Sequence, residues 1–368
     1  MYMSDPRPLT LVLVLVCAAV ACDEASDTAQ PDVNPVDMGE ADLGVSDAGE
    51  MPDLGAPSWT PQPLLDRWSA VSAMPGEPVS YPRAVALQGR IFVLGGRTLN
   101  SATAPGRNLT DVRSYDPASG AWQMHAPMPA AVDQPNIVAT EDRIWILGAR
   151  ADRAVHAYDP SSDTWTSQGM RPGDLDVGAS ALATRGSEIW VAGGVTFSAS
   201  NPRGARIKSF ERFDSETGVW TSLPDMAFEN GYFGAALIED VLYTSGGSTE
   251  QGSVARPGQT FAFNLTQGTW NERALMPEPV SSFASATVDR RFYVIGGITG
   301  ATGRINFEVQ VYDPQADTWG LTVDMPTPRF AAGAVALDEE IYIVGGVRQA
   351  SETEFVATTE VEVLSRAP

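Results

Sequence analysis

Short apolar runs and turn residues alternate along the chain from residue 58 onward. Runs such as Ile91-Phe-Val-Leu94 and Ile341-Tyr-Ile-Val344 are each followed by a pair of glycines. Runs of β-branched and aromatic residues bounded by Gly, Pro and Asp predict short strands joined by tight turns. The pattern therefore predicts an all-β domain over residues 58–368.

The predicted strands belong to a unit that repeats six times. Its tryptophans are separated by 54, 43, 55, 50 and 49 residues: Trp68, Trp122, Trp165, Trp220, Trp270 and Trp319. An Asp or Asn stands six residues before each Trp after the first, which predicts a turn before the last strand of the unit. The Gly pairs begin at Gly95, Gly193, Gly246, Gly296 and Gly345, with Gly148-Ala149 as the degenerate member. A Met after each Trp marks the connection to the next unit: Met74, Met128, Met170, Met226, Met276 and Met325.

A unit of about 50 residues with four strands, a Gly pair and a Trp resembles the kelch repeat. The resemblance covers the chain from Trp59 to its C-terminus and implies a six-bladed kelch-type β-propeller. In that family the glycines end the second strand, where backbones crowd, and the Trp packs against neighbouring strands. One four-stranded sheet cannot cover its own apolar faces, whereas sheets packed radially cover one another. A two-sheet sandwich would not explain six equal periods.

The two ends of the domain predict how the ring of blades closes. The last unit contains Val361-Glu-Val-Leu364 and then stops before any Trp, while Trp68 has no strands before it. We therefore expect residues 64–68 to form the outer strand of the final blade.

Charge and composition exclude several kinds of function. Asp and Glu outnumber Lys and Arg by 46 to 24, and no cluster of basic residues occurs. Nucleic acid is therefore excluded as a partner, because phosphate binding needs clustered cations. Both cysteines lie within the first 22 residues and only two histidines occur. We accordingly expect no metal and no cofactor, and we assign no catalytic residue.

The first 22 residues are predicted to direct the chain to a membrane. Residues 9–21 are apolar except for Thr10 and follow Arg7. As a helix they would span about 20 Å, too short for a bilayer core of about 30 Å but typical of a signal peptide. The ending Ala19-Val-Ala-Cys22 resembles the lipobox of bacterial lipoproteins, which implies a signal peptide over residues 1–21 and lipid attachment at Cys22. The protein would then lie in the bacterial cell envelope, periplasmic or surface-exposed, and touch the membrane only through the lipid; the alternative is ordinary secretion.

Residues 22–57 are predicted to form an acidic, disordered tether. Residues 23–57 contain ten acidic residues and no Lys or Arg, and the unit Asp-x-Gly recurs without enough apolar residues for a core. Calcium binding by this unit is the alternative, but the ligand spacing of an EF-hand loop is absent.

Length variation predicts where a ligand binds. It is concentrated between the second and third strands, in residues 97–113, 196–208 and 348–359. In a four-stranded meander these loops emerge on the same face as the connections between blades. Loops can vary there without disturbing the frame, so we place any binding site on that face.

Several residues of that face are candidates for ligand contact. Arg83 lies at a position where the other repeats have small residues or Asn, and Arg329 begins another inner segment. The remaining candidates lie in the corresponding turns: Tyr81, Asp133, Glu229, Asn230 and Tyr232. Such a set could bind a carboxylate or a sugar, with arginine as a bidentate donor. The alternative is that Arg83 and Arg329 form structural ion pairs between blades.

Two functions are compatible with these features. The first is a binding or scaffold module that recognises an unidentified protein or carbohydrate, without catalysis. The second follows from a similarity to the six-bladed N-acetylneuraminate epimerases, in which case Glu229 would be a general base while Arg83 or Arg329 binds a substrate carboxylate.

Overall fold

The computed structural model describes residues 62–101, 104–150, 152–173, 176–198, 201–249, 258–300, 303–352 and 354–367. The predicted signal peptide, Cys22 and the acidic tether lie outside the described residues. The described residues form β-strands, turns and loops. Among them, no helix has the length and apolar character needed to cross a bilayer.

The described residues form six antiparallel sheets of four main strands, the blades of a kelch-type propeller. Blade 6 is completed by the first strand of the domain, β1 (Arg67–Ala70). Blade 1 contains β2 (Arg83–Leu87), β3 (Arg90–Leu94), β4 (Val112–Asp116) and β5 (Ala121–His125). Blade 2 contains β6 (Ile137–Ala139), β7 (Ile144–Ala149), β8 (Asp152–Asp159) and β9 (Thr164–Met170). Blade 3 contains β11 (Ala181–Arg185), β12 (Glu188–Ser198), β13 (Asn201–Asp214) and β14 (Val219–Leu223), and the short β10 (Val177–Gly178) also pairs with β12.

The second half of the domain continues the same order. Blade 4 contains β15 (Gly234–Ile238), β16 (Val241–Ser245), β17 (Thr260–Asn264) and β18 (Thr269–Arg273). Blade 5 contains β20 (Ala284–Val288), β21 (Arg291–Ile295), β23 (Val309–Asp313) and β24 (Thr318–Leu321), beside the ribbon of β19 (Val280–Ser281) and β22 (Ile298–Thr299). Blade 6 contains β26 (Gly333–Leu337), β27 (Glu340–Val344), β30 (Val361–Ser365) and β1, beside the ribbon of β25 (Arg329–Phe330), β28 (Val347–Ser351) and β29 (Glu354–Ala357).

Strand β1 pairs with β30, so that Trp68 lies opposite Leu364. The strand begins at Arg67, three residues later than the sequence prediction of residues 64–68. The reason is that the segment before it packs on blade 5. Leu65 is fully buried, and its backbone N–H donates to the hydroxyl of Tyr293 at 3.4 Å.

The connections between blades and the loops between second and third strands lie on one face, which we call the loop face. Short ribbons join the two kinds of segment, as β19 pairs with β22 and β25 pairs with β28. The opposite end of each blade has the two hairpin turns, and we call it the turn face. Turns between third and fourth strands have four residues in blades 1 to 5, whereas the loops on the loop face differ widely in length.

Among the described residues, five of the six repeat tryptophans fasten the connection that enters their own blade. The first of them, Trp68, donates its indole N–H to the carbonyl of Val323 at 3.3 Å. The indole N–H of Trp122 donates to the carbonyl of Ser72 at 3.1 Å, two residues before the buried Met74. Trp165, Trp270 and Trp319 make the same bond to Ala126, Pro224 and Ala274 at 3.0–3.1 Å. The Trp and Met signatures therefore describe one contact, an indole donor bound to a connection that a buried Met anchors.

The connection into blade 3 departs from the predicted pattern. Met170 is exposed, and the residue at the anchor position is Arg171, whose backbone N–H donates to Arg153 as the anchoring methionines do in their blades. The guanidinium of Arg171 is buried and donates to Glu211 at 2.6 and 2.8 Å. The assignment of Met170 to this position was wrong because an ion-paired Arg replaces the apolar anchor.

A series of backbone hydrogen bonds passes from blade to blade around the axis. In the connection that enters each blade, the residue two or three positions ahead of the inner strand has a positive φ between 50° and 58°. These residues are Tyr81, Gln134, Ala179, Tyr232, Ser282 and Ala331. Five N–H···O bonds of 2.7–3.2 Å join them, from Ala179 to Gln134, Tyr232 to Ala179, Ser282 to Tyr232, Ala331 to Ser282 and Tyr81 to Ala331. The last of these bonds links blade 6 to blade 1.

The Gly pair marks the contact between successive blades. Gly296 has φ +64°, and a Cβ atom there would lie 2.5 Å from the carbonyl oxygen of Arg329 in the next blade. The following N–H, from Gly297, donates to that same carbonyl at 3.1 Å. A side chain at Gly296 would therefore separate two blades.

Two alanine substitutions separate this crowding from backbone strain. Gly296 and Gly268 have almost the same φ, +64° and +69°, but a Cβ at Gly268 meets no atom within 4 Å. Gly268→Ala is expected to cost about 1–2 kcal/mol from the left-handed backbone alone. Gly296→Ala is expected to cost about 1–3 kcal/mol more, because packed backbone must move. Urea unfolding of both variants measures the difference, and equal losses would contradict the account.

Candidate functional site

Side chains from four blades meet at the axis on the loop face. The ring centroids of Tyr81 in blade 1 and Tyr232 in blade 4 are 6.2 Å apart. The Tyr232 hydroxyl donates to Oε1 of Gln134 at 2.9 Å, and the Tyr81 and Ser282 hydroxyls lie 3.2 Å apart. All four residues have positive φ and belong to the series of backbone hydrogen bonds around the axis, so that series also positions these side chains. The two tyrosines that sequence analysis selected are therefore brought together.

Arg83 lies next to this cluster. It is the first residue of β2, and its Nε donates to the carbonyl of Pro135, which precedes blade 2, at 2.9 Å. Burial lowers the pKa of Arg83, and the nearby phenols of Tyr81 and Tyr232 oppose that effect. The predicted alternative of a structural ion pair does not hold for Arg83, since none joins it to a carboxylate in the part of the chain that the structure describes.

Asp133 approaches the same cluster from blade 2 and has a basic partner. Its carboxylate accepts from Nη1 of Arg150 at 3.1 Å, and the Arg150 guanidinium lies 4.2 Å from the ring centroid of Phe197. Arg206 of blade 3 lies over the ring of Tyr232 at 5.7 Å. Three arginines and one aspartate thus surround the axial tyrosines.

Asn230 and Glu229 are adjacent in the connection into blade 4 but have different surroundings. Asn230 is buried; its Nδ2 donates to the carbonyl of Gly246 at 2.9 Å, and its Oδ1 accepts the N–H of Gly231. It therefore stabilises the connection into blade 4. Glu229 is exposed in the same connection and remains available to a partner.

Arg329 is a structural residue. It is 1% exposed, and its guanidinium contacts Glu362 at 2.9 Å and Glu360 at 3.3 Å. Glu362 lies in the third strand of blade 6, and Glu360 directly precedes that strand. Arg329 lies in the connection that enters the same blade, so these ion pairs form within blade 6 and not between blades. Burial raises the pKa of Glu362, and the charge of Arg329 opposes that shift. Arg329 therefore does not join the axial cluster.

Sequence reasoning missed an interaction of His125 between blades 1 and 2. Nε2 of His125 lies 2.7 Å from Oγ of Ser114, and Nδ1 lies 3.6 Å from Oδ1 of Asp163 in blade 2. The order of groups is that of a hydrolytic triad, but Ser114 is fully buried and its Oγ accepts a bond from Arg90. The cluster therefore joins two blades and has no accessible nucleophile.

A repeated motif could have revealed part of this cluster. Tyr-Asp-Pro-x-x-Asp-Thr-Trp occurs at residues 158–165 and 312–319. In both copies the second Asp accepts from the Tyr hydroxyl at 2.6 Å and from a backbone N–H of the incoming connection. The second copy lacks a histidine partner, which supports a structural role for Asp163. Within the described residues, no three His, Cys, Asp or Glu side chains form a group suited to a metal ion.

Comparison with known proteins identifies the class of repeat. Residues 78–129, 179–227 and 279–326 match the kelch motif, and they cover blades 1, 3 and 5. The chain is 32% identical over 274 residues to Kelch-like protein terF of Aspergillus terreus, an alignment that covers 70% of this chain and 59% of that protein. It is 25% identical over 256 residues to Kelch-like protein 35 of Mus musculus, covering 68% of this chain and 40% of that protein. It is also 25% identical over 271 residues to Beta-scruin of Limulus polyphemus, covering 69% of this chain and 28% of that protein.

These matches, together with the six blades and their Gly and Trp contacts, support the assignment of this chain to the kelch-repeat family. The chain spans between about a quarter and three fifths of the length of these relatives. Blades 2, 4 and 6 lie outside the motif matches but have the same four-stranded pairing.

The His125 cluster predicts a pH dependence of stability. Burial lowers the pKa of His125, Asp163 opposes this shift, and Arg90 adds to it. The folded state then takes up a proton less readily than the unfolded chain, so stability is present above the ordinary value of 6.5 and is lost as the pH falls below it.

Urea unfolding between pH 7.5 and pH 5 measures this loss. The slope to be compared is that of the free energy of unfolding against pH. His125→Gln is expected to remove the part of this slope that His125 contributes, because Gln does not titrate. His156→Gln, which changes the other histidine, is the control and should leave that part in place. A slope unchanged by His125→Gln would contradict the assignment.

Proposed function

We propose that this protein is a kelch-repeat binding or scaffold module whose loop face recognises a protein partner. The observation that supports the proposal most is the confinement of length variation to one face. Turns between third and fourth strands are uniform in blades 1 to 5. The segments between second and third strands run from two residues in blades 2 and 3 to seventeen in blade 1, and in blade 3 the two strands themselves are lengthened into a long hairpin. A rigid frame with variable loops at one end is a common design for recognition. The kelch-repeat relatives also favour a protein-interaction scaffold.

A glycan ligand is the other occupant considered for this face, and the same experiment distinguishes it. Arg329 lies buried in an ion pair and would not bind a substrate carboxylate. The epimerase-like alternative would therefore have only Arg83 and the exposed Glu229 among its candidate groups.

We also propose that the module is tethered in the bacterial cell envelope. In this arrangement residues 1–21 direct export, Cys22 receives the lipid and residues 22–57 separate the propeller from the membrane. The support is the sequence Ala19-Val-Ala-Cys22 and the ten acidic residues that follow it without a Lys or Arg. Repulsion between like charges in a segment with few apolar residues favours an extended chain over a packed one.

Site-specific photocrosslinking in intact cells tests the proposal. A photoreactive residue at Glu229, on the loop face of blade 4, should capture a discrete protein adduct. The same residue at Gln267, exposed on the turn face of the same blade, should not. Equal labelling from both positions, or none from Glu229, would contradict recognition by the loop face. Loss of the adduct after glycosidase treatment would favour the glycan.

Fractionation of the same cells tests the tether. Cys22→Ser should move the protein from the membrane fraction to the soluble fraction, because the lipid is its only membrane contact. Cys17→Ser is the matched control and should stay in the membrane fraction. Membrane association that survives Cys22→Ser would refute lipid anchoring at this residue.

A further inference from the structure

Arg83 occupies a position that faces the neighbouring blade. The equivalent residues in blades 3 to 6 are small: Ala181, Gly234, Ala284 and Gly333. A Cβ at Gly333 would lie 2.9 Å from the carbonyl oxygen of Pro82 in the next blade, and one at Gly234 would lie 2.7 Å from Phe283. In blade 1 a full arginine side chain is accommodated, and it extends to Pro135 before the short inner strand β6. The packing of neighbouring blades, which requires a small residue at the equivalent position of blades 3 to 6, therefore does not explain why position 83 is an arginine.

The charge of Arg83 has no counterion among the described residues. The four arginines that are buried among the described residues each contact a carboxylate: Arg113 with Asp111, Arg171 with Glu211, Arg291 with Asp313, and Arg329 with Glu362. Arg83 is half-buried, and a charge partly removed from water is normally neutralised by an opposite charge or by strong hydrogen bonds. Arg83 has one carbonyl acceptor, on Nε, and its nearest ionisable groups are the phenols of Tyr81 and Tyr232.

The surroundings add to the positive charge. Arg206 lies over the ring of Tyr232 at 5.7 Å, and Arg150, which is paired with Asp133, acts on the same tyrosine. Arginine side chains from three blades therefore lie beside the axial tyrosines in a protein whose formal net charge is −22. Neighbouring cations attract anions.

We propose that Arg83 binds a carboxylate at the axis of the loop face, beside the paired rings of Tyr81 and Tyr232. This inference rests on the proposed function, since it names the chemistry that the loop face recognises. The Nη groups donate to the carboxylate while Nε stays bound to Pro135. The paired tyrosine rings cover one side of the bound group and limit its contact with water. The carboxylate belongs either to a small organic acid or to an acidic side chain of a protein partner.

Calorimetric titration with four probes at constant ionic strength tests this site. Glutarate represents a small acid and hexaglutamate an acidic peptide, while glutaramide and hexaglutamine are their uncharged counterparts. We expect heat from at least one acidic probe and none from its neutral counterpart. Binding of glutarate identifies a small-acid site, and binding of hexaglutamate alone identifies an acidic peptide. Absence of binding by both acids would overturn the proposal.

Three variants assign the binding to Arg83. Arg83→Gln should weaken binding at least about tenfold, because charge-assisted hydrogen bonds are lost. Arg83→Lys keeps the charge without the planar fork and should give an intermediate affinity. Arg304→Gln removes an exposed charge from the loop face of blade 5 and should leave affinity within about twofold. Equal losses in Arg83→Gln and Arg304→Gln would mean that only general electrostatic attraction is present, which refutes the site.

One measurement does not depend on how the variants fold. In the unmodified protein, the ¹⁵N resonance of the Arg83 side chain should shift on titration with the acidic probe that binds. A probe that binds without shifting this resonance would place the site elsewhere. The crosslink from Glu229 is independent of these results: if it forms and Arg83 does not bind carboxylate, the scaffold function stands and only the carboxylate site fails.

Discussion

The open circle of backbone hydrogen bonds around the axis is the constraint on which the other features of the propeller depend. Its five bonds join all neighbouring blades except blades 1 and 2, where, among the described residues, the Arg83 side chain binds the Pro135 carbonyl instead. Each bond joins residues one blade apart, and each residue in the circle has a left-handed backbone conformation. For non-glycine residues this conformation costs about 1–2 kcal/mol, so the bonds and the packing of the blades must offset it. The same conformation orients Tyr81, Gln134, Tyr232 and Ser282 so that their side chains meet. The frame and the candidate site therefore share one physical origin.

Contacts farther from the axis also join each blade to its neighbour. Between the circle and the outer strands, the Gly pairs let the backbone of one blade approach a carbonyl of the next. At the outer edge the indole donors of the fourth strands bind the incoming connections. Three radial levels of contact thus join neighbouring blades, and only the innermost consists of backbone groups that different side chains accompany in different blades. Side chains next to the axis are consequently free to differ, and one of them is Arg83, which has no carboxylate partner among the described residues.

The fold could be predicted from sequence because its signals repeat. The Trp spacing and the Gly pairs each correspond to a contact that recurs between blades, and the all-β kelch propeller that they indicate is the fold observed. Local substitutions were less predictable. Arg171 replaces an apolar anchor by an ion pair with a residue forty positions away, and Arg329 finds its acids thirty-one and thirty-three positions on. Such partners are set by blade packing, so no local pattern showed that Arg329 was structural. Tyr81 and Tyr232 could be placed in turns from the sequence, whereas the contact between their rings depends on the positive φ values of the two residues.

Native-state amide hydrogen exchange tests the central claim about the circle most directly. Amides that open only when the whole domain unfolds share the free energy of global unfolding, whereas local opening gives lower values. The account predicts that the amides of Tyr81, Ala179, Tyr232, Ser282 and Ala331 all exchange at the global value, including Tyr81, whose bond joins blade 6 to blade 1. Exchange of Tyr81 that is orders of magnitude faster than that of Ser282 would contradict a circle that constrains all six blades.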